Sequence, residues 1–252
     1  MWRQSSFFAV LGGAVLAALV YMQPAFAGDR ALLNVVGYSP DARYFTFEEY
    51  GIQDGSGFAY SSIYVVDLNE DRWVVGTPVV LQAESETESL ADLRQRAWDE
   101  IMPRFTDLAI ELPAIPAALN GDGSTEGDRK SLKFGAPGYV MSGAEPNPVI
   151  GAYTLTLEEI ESSSSLNCDD ILDGPPLGYA LTISDFGASR VIHRDRSLPR
   201  SRGCPTGYTI YGVYLPFGAT DISHGVALIS VYTFGFEGAN RRFVAAPLAA
   251  GF

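Results

Sequence analysis

The sequence predicts a mainly β protein, with antiparallel blade-like meanders packed as two sheets or an incomplete propeller and one long amphipathic helix. Three observations carry this. Short β-branched and aromatic runs recur along the chain, divided by Gly, Pro, Asp and Asn. The stretch from residue 33 to residue 76 alone reads as four strands in a meander. One segment only, near residues 86–102, has apolar residues at helical spacing with charges between them.

Within the first meander, "LNVVGYS" is followed by a turn at Pro40-Asp41-Ala42, and "RYFTFEEY" forms the second strand. The Asp-Gly-Ser-Gly turn at 54–57 uses glycines that accept positive φ. "SSIYVVDL" is the third strand, and Asn69-Glu70-Asp71 turns the chain into "RWVVG". The helix follows from Leu90, Leu93, Ala97 and Ile101 on one face. Ser85 and Glu88 stand at capping-box spacing, and Pro103 is expected to end or kink the helix after Met102. A loop-rich region spans 111–149, with five prolines. The remaining strand candidates are "AYTLTLEEI", "GYALTISDF", "SRVIHRD", "GYTIYGVYLPF", "HGVALISVYTF" and "RRFVAAPL", with an exposed Ser loop at 162–165. The second and third strands loosely resemble the last two. Each pair brackets an aromatic-Gly step (Tyr50-Gly51, Phe234-Gly235) and an acid-Gly step (Asp54-Gly55, Glu237-Gly238). Two copies are too few for a closed propeller.

The first 27 residues have the three-part plan of a secretory signal peptide. Arg3 is followed by the apolar run "FFAVLGGAVLAALVYM", then by "QPAFAG" with Ala25 and Ala27 at the positions read by a signal peptidase. Cleavage is expected between Ala27 and Gly28, leaving one β-rich secreted domain over 28–252 with no stable membrane insertion. Removing the leader takes away Arg3 and no acid. The chain then has 16 basic against 30 acidic residues, a net charge of −14. Such a chain repels nucleic acid and anionic membrane on average. Cys168 and Cys204, an even pair in an exported chain, are expected to form one structural disulfide.

Two groups of residues are candidates for a site. Alternation puts Glu49 on the face of Phe45 and Phe47, and Glu48 on the other face. An inward Glu49 needs an Arg or amide partner, and the strand is expected to leave the core at Glu48. Glu49 and Asp54 could serve as paired carboxylates of a periplasmic hydrolase of peptides or glycans. The second group is "SRVIHRDRSLPRSRGCP", which holds Arg190, Arg194, Arg196, Arg200 and Arg202. Prolines and the disulfide would stiffen this loop, and guanidinium forks suit carboxylates and phosphates. Arg194, Arg196, Arg200 and Arg202 are therefore the expected binding residues for an anionic ligand or an envelope protein. The competing expectation is that they pair with the chain's own acids, Glu48 and Glu49 included. Arginines around His193 would disfavour its charged form.

Other chemistry has little support in the sequence. "NGDGSTEGD" alternates oxygen-bearing residues from Asn120 to Asp128 like part of a calcium loop, but Ser131 stands where an EF-hand needs Glu. There is no G-x-S-x-G elbow, and no phosphate-loop, zinc or haem motif, so no cofactor is expected.

Three long segments, "GYSPDARYFTFEEYGIQDGSGFAYSSIYVVDL", "LPRSRGCPTGY" and "SVYTFGFEGANRRFVAAP", resemble those of a family of predicted secreted bacterial proteins, the domain of unknown function 2259. The resemblance covers nearly all of residues 28–248, in the same order. It implies export from a bacterial cell and carries no activity or catalytic residue. The first segment also looks like one blade of a TolB-type propeller, a likeness of fold only.

Overall fold

The computed structural model describes residues 28–122, 128–138, 148–168, 170–235 and 238–249. The expected signal peptide (residues 1–27), most of the calcium-like loop (Ser124 and Glu126 among it) and Glu237 lie outside the described residues. Thirteen strands and one helix follow in order: β1 (Leu32–Tyr38), β2 (Tyr44–Ile52), β3 (Ala59–Asp67), β4 (Arg72–Trp73), β5 (Val79–Gln82), α1 (Leu90–Leu108), β6 (Ala114–Leu119), β7 (Ser131–Pro137), β8 (Val149–Glu161), β9 (Leu177–Asp185), β10 (Ala188–Arg194), β11 (Pro205–Pro216), β12 (Val226–Thr233) and β13 (Asn240–Pro247). They make three antiparallel sheets, and no barrel closes among the described residues. Sheet I has the order β1-β2-β3-β4, with β5 also on β3; sheet II is β10-β9-β8-β7; sheet III is β13-β12-β11-β6. The chain is thus mainly β, with antiparallel meanders and one long helix, as the sequence predicts.

Alternation along the strands of sheet III shows how the layers stack. Ala227, Ile229 and Val231 of β12 join Leu155, Leu181 and Ile183 of sheet II in one apolar cluster. Val226 and Leu228, the intervening residues, join Phe45, Phe47 and Val66 of sheet I in another. Sheet III therefore buries both faces, which is why β12 reads "VALISVYT" as a near-continuous apolar run instead of alternating. The far face of sheet I is covered by α1, whose Ala97 and Ile101 pack on Ile63, Val65 and Val79. The order of layers is sheet II, sheet III, sheet I, helix.

The structure corrects several local expectations. The helix starts at Leu90, not 86, because Ser89 supplies the cap: its Oγ accepts the Asp92 N–H at 3.1 Å. Pro103 lies inside the helix. Pro103 removes one backbone hydrogen bond, but Phe105 and Leu108 beyond it still pack against the sheet I cluster. The region 111–149 contains β6 and β7, each at the edge of its sheet. Edge strands tolerate proline, and Pro116 sits within β6 opposite Tyr214. The two similar segments are both hairpins, β2–β3 and β12–β13. Gly51 is inside β2, whereas Gly235 lies beyond the end of β12, so the shared dipeptides occupy different places. The Ser loop is not merely exposed, since Ser163 C=O accepts the Leu198 N–H at 2.8 Å. Among the described residues, no helix is long and apolar enough to cross a membrane.

Candidate functional site

A cleft of about 740 Å³ opens where the three sheets meet. Sheet I contributes Glu49, Tyr64 and Trp73; sheet II contributes Tyr179 and His193; β13 contributes Arg242. The turn that joins β10 to β11 forms the rim, with Arg200 and Arg202.

That turn is fastened at several points. Cys168 and Cys204 are disulfide-bonded with Cα atoms 5.6 Å apart, tying the start of β11 to the β8–β9 loop. Leu198 is buried and bonded to the Ser loop. Arg200–Arg202 form one 3₁₀ turn, closed by the Gly203 N–H donating to the Arg200 carbonyl at 3.1 Å; Gly203 has φ 69°, a conformation that favours glycine.

The four arginines named from the sequence have different places. Arg202 lines the cleft but is held within the fold: its side chain is 11% exposed, Nη1 donates to Asp195 Oδ2 at 2.6 Å, and its guanidinium lies 5.2 Å from the Tyr179 ring centre. Arg200 is exposed and lines the cleft. Arg194, at the end of β10, and Arg196 are exposed outside the cleft lining. Glu48 instead takes Arg94, and the arginine beside Glu49 is Arg242.

Glu49 faces the cleft, as alternation predicts. It accepts the Tyr64 hydroxyl at 2.9 Å on Oε1 and the Phe243 N–H at 2.9 Å on Oε2, and Arg242 Nε stands 3.9 Å away. Burial raises its carboxyl pKa above the usual range, and the Phe243 amide and Arg242 only partly oppose this. Glu48 corrects the sequence reading: the strand does not leave the core there, because α1 covers that face. Its side chain is fully buried and takes both arms of Arg94 at 2.7 Å, with Ser61 at 3.0 Å, Asn34 at 3.1 Å and the Trp98 indole at 3.3 Å. Burial opposes the charge, but Arg94 and Asn34 outweigh it and hold the carboxyl low. Asp54 is exposed on the β2–β3 turn and does not line the cleft.

His193 also departs from expectation. Its near neighbours are acids: Nε2 is 3.2 Å from Asp195 Oδ1 and Nδ1 is 3.7 Å from Asp71 Oδ2, while the ring stacks on Tyr179 at 4.5 Å. Burial disfavours the imidazolium, yet Asp195 and Asp71 prevail and raise the pKa. Arg202 is engaged with the other oxygen of Asp195. In the calcium-like loop, Asp122 is bound to Arg241, which holds its carboxyl low. No cluster of three or more metal-ligating side chains occurs among the described residues.

Sequence reasoning missed Asp71, Trp73, Tyr179 and Arg242, which come from four separate elements. The one local signal was "DRW", a turn acid followed by an Arg and a Trp in so short a strand.

The fold and site define a layered β protein with a constrained, cation-bearing rim over a mixed polar and aromatic cleft. The chain belongs to the family described as predicted secreted protein (DUF2259), whose model matches residues 46–249. No curated protein and no solved structure matches it.

Proposed function

We propose that this protein is a non-enzymatic binding module of the bacterial envelope, exported after removal of residues 1–27, and that the cleft takes an anionic ligand at Arg200. The observation that carries this reading is the state of Arg200. It stands exposed at the cleft rim, on a turn held by a disulfide, and makes no ion pair among the described residues. A cation kept in place without a protein partner loses little freedom on meeting a carboxylate or phosphate. Tyr64 and Trp73, with ring centres 5.5 Å apart, supply an aromatic wall for the rest of the ligand. The family's description as predicted secreted proteins supports export.

The alternative, a hydrolase using Glu49 and Asp54, is weaker because Asp54 lies outside the cleft lining and both Glu49 oxygens are engaged.

The test is thermal melting of the purified protein with glucuronate, N-acetylmuramate, inorganic phosphate or neutral glucose. At least one anion should raise the melting temperature and glucose should not. Arg200→Ala should abolish that response without lowering the melting temperature of the free protein. An unchanged anion response in Arg200→Ala would refute the assignment, as would no response of the wild type to any of the three anions.

A further inference from the structure

We propose that His193 is a protonation-dependent clasp that joins the β3–β4 corner of sheet I to sheet II and thereby sets the width of the cleft. Its effect on ligand capture rests on the anion-binding reading above; the clasp itself does not.

The geometry comes first. His193 stands at the end of β10, and its two ring nitrogens face carboxylates on different sheets. Asp195 follows β10 on the sheet II side and is 5% exposed. Asp71 belongs to the turn between β3 and β4, has φ 46°, and is 42% exposed. The next two residues, Arg72 and Trp73, are the whole of β4 and line the cleft. β4 pairs with β3 at two positions, Val66 with Trp73 and Asp67 with Arg72, and one further backbone bond follows, from the Val74 N–H to the Val65 carbonyl. A short corner of this kind depends on side-chain contacts for its position.

Only the imidazolium can donate from both nitrogens at once. In that form Nε2–H serves Asp195 while Nδ1–H faces Asp71. On losing one proton the ring has a single donor. Asp195 is the nearer partner and also holds Arg202 and the Tyr179 backbone N–H at 2.9 Å, so its side keeps the remaining proton. The Nδ1 lone pair then faces the Asp71 carboxylate, and the exposed partner is the one released. The groups around the ring are Asp71 from the β3–β4 turn, Asp195 beyond β10, Arg202 from the 3₁₀ turn, and Tyr179 of β9. The two acids favour the charged ring and the arginine opposes it. As pH rises through the raised His193 pKa, the corner bearing Asp71, Arg72 and Trp73 should detach from sheet II.

Trp73 reports this directly. In protein labelled with 5-fluorotryptophan, the Trp73 fluorine resonance, assigned with Trp73→Phe, should shift in one step between about pH 5 and about pH 9. Its midpoint should lie above histidine's ordinary 6.5. Trp98, in α1 on the opposite face of sheet I, should not follow it. Asp71→Asn, which alters only the exposed partner and suits a positive φ, should remove the step, and so should His193→Asn if that variant folds. No Trp73 step in the wild type, or an unchanged step in Asp71→Asn, would overturn the clasp. The measurement uses no ligand, so its failure would leave the Arg200 assignment standing, and loss of that assignment would leave the clasp standing.

Discussion

Glu48 and Glu49 are adjacent residues of one type on one strand, and the two faces of sheet I give them opposite environments. On the helix side Glu48 meets Arg94 in a two-armed pair, with three further donors around it, and Arg94 itself lies 3.8 Å from the Tyr50 ring centre. On the cleft side Glu49 has one hydroxyl, one amide and a more distant arginine. Both side chains are buried, yet one carboxyl is held low and the other is pushed up. Burial disfavours either charge; the number and closeness of donors decides which is overcome. The helix face is a closed structural contact, and the cleft face keeps an incompletely neutralised acid beside open space.

The largest effect should come from breaking the closed side. Arg94→Ala leaves Glu48 buried without its counter-charge and should cost about 3–5 kcal/mol in urea unfolding. A loss no larger than that of a surface substitution would show that water already reaches Glu48 and would remove the contrast. The pH dependence has a definite sign. Stability owed to Glu48 is fully present above its unfolded value of 4.5 and is lost as pH falls through its lowered native value.

Removing the cross-link should act on the other side. Cys204→Ser should cost roughly 3–4 kcal/mol by the chain-entropy argument. Hydrogen exchange should quicken in the rim turn and at the start of β11, with α1 little changed. Equal loosening of α1 would mean that the two faces of sheet I are not independent.

The smallest effect, and the sharpest comparison, is expected from Glu49→Gln. The amide oxygen can still accept one of the two hydrogen bonds, so the change at neutral pH should stay within about 1 kcal/mol. A carboxyl with a raised native pKa makes its contribution at low pH and loses it as pH rises through that value. Glu49→Gln should therefore be relatively less stable than wild type in acid and recover as pH rises, the reverse of the trend for Glu48. Parallel trends for the two positions would mean that their environments do not differ as described.

Much of the fold was open to inference from local pattern. Alternation and turn residues located β1, β2 and β3 and all six strands from β8 to β13, because strand period and turn chemistry act over a few residues. The two β strands of the proline-rich region were missed for the converse reason. Pro116 and Pro137 argue against central strands, and only the sheet order reveals that β6 and β7 are edges. The site was harder. Alternation aimed Glu49 inward correctly, and clustering drew attention to the Arg turn. Neither could separate Arg200 from Arg202, because only packing brings Asp195 and the Tyr179 ring against Arg202.

By itself the sequence determined most of the strand segments and the middle of the helix, the acidic charge, the pairing of the only two cysteines and the alternation that sends Glu48 and Glu49 to opposite faces. Tertiary structure alone decided that a helix would cover the Glu48 face, and that Asp71, Trp73, Tyr179, His193 and Arg242 would meet around one cleft. The reason is physical: backbone geometry sets which way a side chain points, but its charge state and partners depend on layers brought together from distant parts of the chain.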